Sequence, residues 1–127
     1  MKFLLDTHVV IWMVEDSSNL PVSIKEIIEN PDNQIAICSI SLWEIAIKMN
    51  LGKLDLKLPL EKLLGDIKNG GFNILQIENE YLEKLSVLPF IHKDPFDRLI
   101  MATALAEDLT IITTDENIQK YDVSWIW

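Results

Sequence analysis

Short apolar runs recur along this chain, each separated from the next by a stretch with helical spacing, and that alternation limits the folds open to it. Lys2–Leu5, Ile35–Ile40, Phe72–Ile77, Thr110–Thr114 and Val123–Trp127 read as strands. Between them lie helices over Thr7–Glu15, Leu20–Asn30, Ser41–Asn50, Leu60–Asn69, Glu80–Leu88 and Asp94–Asp108. Their ends carry ordinary stop and start signals. Pro21 suits a first turn, Gly52 and Gly70-Gly71 close two helices, and Asn30-Pro31-Asp32-Asn33 breaks another. Strands alternating with helices imply an α/β fold, a parallel sheet covered on both faces.

At 127 residues the chain fits one domain, and a hydrophobic share of 49% supplies a proper core. The longest apolar stretches fall far short of the ~20 residues a membrane span needs. Asp6 follows Met1 too closely for a signal peptide, which points to a cytoplasmic protein. The single cysteine, Cys38, lies in the run Ile35-Ala36-Ile37-Cys38 and reads as a buried thiol with no internal partner.

Charge sets a condition on function. The net charge is −9, the wrong sign for a protein that holds nucleic acid by its general field. A nucleic-acid role therefore needs local positive charge. A bound divalent metal would supply it, as would a patch drawn from Lys48, Lys53, Lys57, Lys93 and Arg98. Arg98 is the only arginine; it reads either as a phosphate contact or as an ion pair with a nearby acid.

Four acids fall at one edge of the expected sheet. Asp6 ends the first strand, Glu44 opens the helix after the second, Asp97 opens the helix Asp94–Asp108, and Asp115 ends the strand Thr110–Thr114. Ligands of open α/β sheets bind beyond the carboxyl ends of the strands. Carboxylates converging there repel one another without a counter-ion, and hard cations such as Mg²⁺ and Mn²⁺ favour such oxygen ligands. A metal so held can activate water and steady an in-line attack on a phosphodiester. Each acid also has a structural reading. Ser41-Leu42-Trp43-Glu44 fits a capping box, and Asp94-Pro95-Phe96-Asp97 is an N-cap, a first-turn proline and a dipole-favoured acid. Asp6 and Asp115 stand where they would cap the helices that follow. Trp12 and Trp43 read as core residues. His8 and His92 lie near the acids without a role that metal chemistry requires.

The segments Phe3-Leu4-Leu5-Asp6-Thr7-His8, Ser41-Leu42-Trp43-Glu44-Ile45-Ala46-Ile47-Lys48, His92-Lys93-Asp94-Pro95-Phe96-Asp97-Arg98-Leu99-Ile100 and Thr113-Thr114-Asp115 together resemble the PIN-domain family. The likeness is greatest to the toxin half of VapBC-type toxin–antitoxin pairs, and its order holds across essentially the whole chain. The resemblance implies a five-stranded parallel sheet with helices on both sides and a single domain over residues 1–127. It implies cleavage of RNA dependent on Mg²⁺ or Mn²⁺, inhibition by a cognate antitoxin, and a homodimer. By position the family's acids fall on Asp6, Glu44, Asp97 and Asp115, with Asp94 as a possible outer contributor and Thr114 placed to orient Asp115. Arg98 and Lys48 are the expected RNA contacts. The rival is an acidic α/β binding module of the phosphorylation-receiver kind. It would need adjacent acids after the first strand and a lysine ending the last, and this chain has neither.

Overall fold

A computed structural model describes all 127 residues. The elements run β1 (Lys2–Leu5), α1 (Thr7–Val14), α2 (Val22–Glu29), β2 (Gln34–Cys38), α3 (Ser39–Asn50), α4 (Leu60–Asn69), β3 (Asn73–Leu75), α5 (Asn79–Ser86), α6 (Pro95–Glu107), β4 (Thr110–Ile112), α7 (Glu116–Gln119) and β5 (Trp125–Ile126). The five strands form one parallel sheet in the order β3-β2-β1-β4-β5. β1 is central, with Leu4 beside Ala36 on one side and Ile111 on the other. This order removes the receiver alternative, whose doubly wound sheet runs 2-1-3-4-5.

Successive strand residues face opposite sides, so the sheet feeds two cores. Phe3, Leu5, Ile35, Ile37 and Ile112 pack with Val9, Ile24, Ile45, Leu63 and Ile67 of α1 to α4. Leu4, Ala36, Cys38 and Ile111 face the other way, against Tyr81, Ile100, Met101 and Ile118. Strands buried on both faces explain why the sequence shows charge-free runs instead of polar–apolar alternation. Cys38 is fully buried, as its neighbours suggested. No helix is long and apolar enough to cross a membrane.

Several boundaries shift, one with consequences. The helix after β2 begins at Ser39, two residues before Ser41, with Cys38 at its N-cap and no side-chain cap. Glu44 therefore lies in the second turn, beyond the reach of a capping box. α6 behaves as its sequence indicates. Asp94 accepts from the N–H groups of Phe96 (2.9 Å) and Asp97 (3.1 Å), Pro95 opens the helix, and Asp108 ends it with a left-handed backbone (φ 54°). Trp43 departs from its expected core position: it is 59% exposed.

Candidate active site

β1 lies between β2 and β4, so the acids that follow these strands gather at their carboxyl ends. Asp6 stands directly after β1 at the N-cap of α1, yet makes no capping hydrogen bond there. Its carboxylate instead accepts from the Thr113 hydroxyl at 2.6 Å, across from the end of β4. The Asp6 N–H reaches the Ile112 carbonyl at 3.1 Å, which fixes the residue between the two strands. Asp6 is buried, and burial raises its pKa; Thr113 pulls the other way.

Glu44 is buried too. Thr7 Oγ1 lies 2.7 Å from Glu44 Oε1 and 2.9 Å from Ser41 Oγ. With one proton to give, the threonine favours the carboxylate, the stronger acceptor. The Lys48 ammonium holds Oε2 at 2.7 Å one helical turn away. That contact, first of all, raises the Lys48 pKa; Asp94 and Asp97 add to it more weakly. Glu44 is thus bound by α1 and by its own helix's next turn, and the capping role proposed from sequence is not the one it has.

Asp97 occupies the first turn of α6, where its buried carboxylate meets His92 Nε2 at 3.2 Å. Burial pushes its pKa up to about 8, and the charges of Asp94, Asp6, Asp115 and Glu44 push the same way. Those four neighbours are the remaining acids singled out in the sequence, so the fold does bring the set together. Asp115 is less buried. It caps α7 by accepting from the Asn117 N–H at 2.8 Å, as its structural reading required, and its own N–H donates to Thr113 Oγ1 at 2.9 Å.

Thr113 is therefore the residue that joins Asp6 to Asp115; the sequence reading assigned an orienting role to Thr114, which is exposed. Thr7, Ser41 and His92 were also missed or set aside. A hydroxyl next to a site acid was the signal available for Thr7; Thr113 stands two residues before Asp115 and carried no such mark.

Arg98 is engaged within the protein itself. Its guanidinium donates to the Pro89 carbonyl (2.9 Å), the Leu88 carbonyl (3.3 Å) and the Tyr121 hydroxyl (3.1 Å). It also lies 4.7 Å over the Phe90 ring. Geometry of this kind, made through both terminal nitrogens, leaves Arg98 a clamp on the loop before α6. Trp43, one residue before Glu44, packs edge-on against Phe96, one residue before Asp97, with ring centroids 5.7 Å apart. One indole face stays open at the rim.

A donor set made of carboxylates, packed closely enough to disfavour each other's charge, suits a hard divalent cation in ligand type and in sign. No three His, Cys, Asp or Glu side chains close into a ready-made cage, each acid being hydrogen-bonded to a partner of its own. The residues fit such an ion by chemistry and charge, and the hydrogen-bonding partners hold the ligands in their places.

Comparison with known proteins gives the same outline. A curated relative, "Ribonuclease VapC22" of Mycobacterium tuberculosis, is 25% identical over 118 residues, covering 93% of this chain and 90% of the relative. The VapBC2 complex of Rickettsia felis bound to a promoter DNA fragment contains a chain of the same fold. It has a TM-score of 0.76, 21% identity and coverage of 99% of this chain and 98% of that one. A DNA-bound VapBC of Salmonella typhimurium follows with a TM-score of 0.72, 19% identity and coverage of 99% and 97%. The family model described as "PIN domain" matches residues 3–124. With that span matched, this chain belongs to the PIN-domain family.

Proposed function

We propose that the protein is a metal-dependent endoribonuclease and the toxin of a toxin–antitoxin pair. The observation that carries the nuclease reading is the gathering of Asp6, Glu44, Asp97 and Asp115 beyond the central strands, where Asp97 is pushed up to about 8 by burial and by its acidic neighbours. These four are the proposed metal ligands, for Mg²⁺ or Mn²⁺. When bound, such an ion polarises the phosphodiester and lowers the pKa of water. The chain's own residues prepare the place. Thr113 holds Asp6, Thr7 holds Glu44, and His92 holds Asp97. Lys48 balances one carboxylate, and its ammonium is the proposed contact for an RNA phosphate. Trp43 offers a stacking face to a base.

The toxin reading rests on the VapC relative and on the VapBC complexes, which share the fold. By that reading the partner is a small antitoxin whose basic segment answers the acids of the cleft. The protein acts as a homodimer in the cytoplasm.

Purified protein freed of metal is expected to leave RNA intact, and to cut it once Mg²⁺ or Mn²⁺ is added. Cleavage at full rate in EDTA would overturn the metal mechanism. Expression of the protein alone with no loss of growth or RNA would overturn the toxin assignment.

A further inference from the structure

Beyond the acids lies a second set of contacts that converges on one oxygen. The Tyr121 hydroxyl, at the buried end of the turn after α7, is approached by the Ile91 N–H (3.2 Å), the His92 N–H (3.0 Å) and the Arg98 guanidinium (3.1 Å). His92 Nδ1 lies closer still, at 2.8 Å, with the two rings edge-on and 5.4 Å apart. On the far side of the imidazole, Nε2 meets Asp97 Oδ2 at 3.2 Å. Three residues from separate segments thus form a line from Tyr121 through His92 to a proposed metal ligand.

The direction of that line follows from counting protons. A phenol oxygen accepts through two lone pairs and carries one proton. Three N–H groups compete for those two lone pairs, so a phenol that keeps its proton has no lone pair left for an Nδ1–H. Its own proton has two acceptors within range, Nδ1 at 2.8 Å and the His92 carbonyl at 3.4 Å, and the nearer ring nitrogen takes it. With Nδ1 accepting, the neutral imidazole must carry its proton on Nε2. That N–H points at Asp97, and it is the only hydrogen bond made to the Asp97 carboxylate.

The geometry points to Tyr121 and His92 as positioning residues for Asp97: Tyr121, saturated by the Arg98-clamped loop, fixes His92 as the Nε2–H tautomer, which in turn fixes the Asp97 carboxylate for its ion. Histidine and carboxylate groups behind metal ligands act in this way elsewhere, orienting a ligand they do not replace. The loop's attachment to Arg98 then has a purpose at the site. It presents the backbone N–H groups of Ile91 and His92 to the phenol and so sets the direction of its proton. The inference rests on the proposed role of Asp97 as a metal ligand.

Nitrogen-15 NMR of the histidine side chains in metal-free wild-type protein reads the tautomer directly. His92 is expected as a single Nε2–H form with Nδ1 accepting; an Nδ1–H form or a rapidly averaged mixture would overturn the inference. Tyr121→Phe should release the tautomer and weaken Mn²⁺ binding by roughly 10-fold or more, the range found for such outer partners. The loss should fall on kcat, with KM for RNA nearly unchanged. His92→Gln, which keeps an N–H at the place of Nε2, should bind Mn²⁺ more tightly than His92→Ala. Wild-type Mn²⁺ affinity in both Tyr121→Phe and His92→Ala would refute the arrangement even if Tyr121→Phe folds poorly, because His92→Ala leaves the phenol in place. Glu44→Gln separates this from the nuclease reading. It should abolish cleavage while leaving the His92 tautomer as in wild type. Retained cleavage there would sink the carboxylate site, whereas a wrong tautomer with cleavage abolished sinks only the inference.

Discussion

At the carboxyl end of the strands, five acids share a small space with little room to spare. At the amino end lies the larger hollow, a cavity of about 730 Å³ lined by residues such as Met13, Asn30, Asn33, Gln34, Gly71 and Phe72. The amino end holds neutral amides, loop backbone, one aromatic ring and a single carboxylate, Glu29, which is exposed to solvent. Its shape comes from turns: Gly71 has a left-handed backbone (φ +80°) that lets the chain reverse from α4 into β3. Among these six residues none carries a buried charge, and nothing there is held against its solvation preference. The carboxyl end offers less volume and more chemistry. Asp6, Glu44 and Asp97 are all buried, each with a dedicated hydrogen-bond donor. Charge kept out of water is costly, so its presence marks a site better than empty space does.

The sharpest way to break the contrast is to remove a charge at the carboxyl end. Asp6→Asn and Glu44→Gln should each lower RNA cleavage by more than about 100-fold, since even outer partners of metal ligands cost ~10–100-fold. The metal-free proteins should keep their melting temperatures or gain, because one of several repelling carboxylates is gone. Glutamine would have preserved a capping box, so a cleavage defect in Glu44→Gln cannot be assigned to lost capping. Wild-type cleavage in both variants would reduce the carboxyl end to a structural feature.

A smaller effect is expected at the rim. Trp43→Ala should weaken RNA binding by about 1–3 kcal/mol, the range for one stacked base, seen as a higher KM with kcat held. The indole packs on Phe96 and is mostly exposed, so the fold should survive the change. An unaltered KM would remove Trp43 from the substrate path.

The pH dependence should be gentler. Asp97 has a folded pKa of about 8 against an ordinary 3.8, so the folded state holds its proton where the unfolded chain has released it. Stability from this group is complete below about pH 4 and is lost as pH rises toward 8. Melting of the metal-free protein should therefore fall across that window, with a slope under the ~1.4 kcal/mol per pH unit that one proton allows. Asp97→Asn should flatten the slope. A wild-type curve that rises through this window would contradict the crowding of acids.

The smallest effect belongs to the amino end. Gln34→Thr alters the wall of the larger cavity at an exposed strand position, with stability changing by no more than about 0.5 kcal/mol. Cleavage should match wild type. A substantial loss of activity would mean that the two ends are coupled and that the contrast between them is too simple.

Sequence periodicity and punctuation determined much of this molecule. Charge-free runs marked strands buried on both faces, and α4 falls on the expected Leu60–Asn69. Asp94-Pro95 announced the start of α6 because an N-cap carboxylate and a first-turn proline act within a few residues of their own position. Asp6, Asp97 and Asp115 were legible for the same reason, each standing beside the end of an element that local pattern defined; Glu44 was singled out although its helix begins two residues earlier than the pattern indicated. What the tertiary structure decided depends on partners far along the chain. Thr113 reaches Asp6 across 107 residues, Thr7 reaches Glu44 across 37, and Tyr121 reaches His92 across 29. Arg98, read from sequence as a phosphate contact or an ion pair with a nearby acid, is held by a loop whose course no local pattern specifies. Trp43 faces outward because the face of α3 that packs inward is the one carrying Ile40, Ser41, Glu44 and Ile45, and Trp43 lies off it. Local sequence fixes backbone geometry over a turn or a strand; which side chains then meet is set by the order in which parallel strands are laid side by side, and that order exists only in the folded sheet.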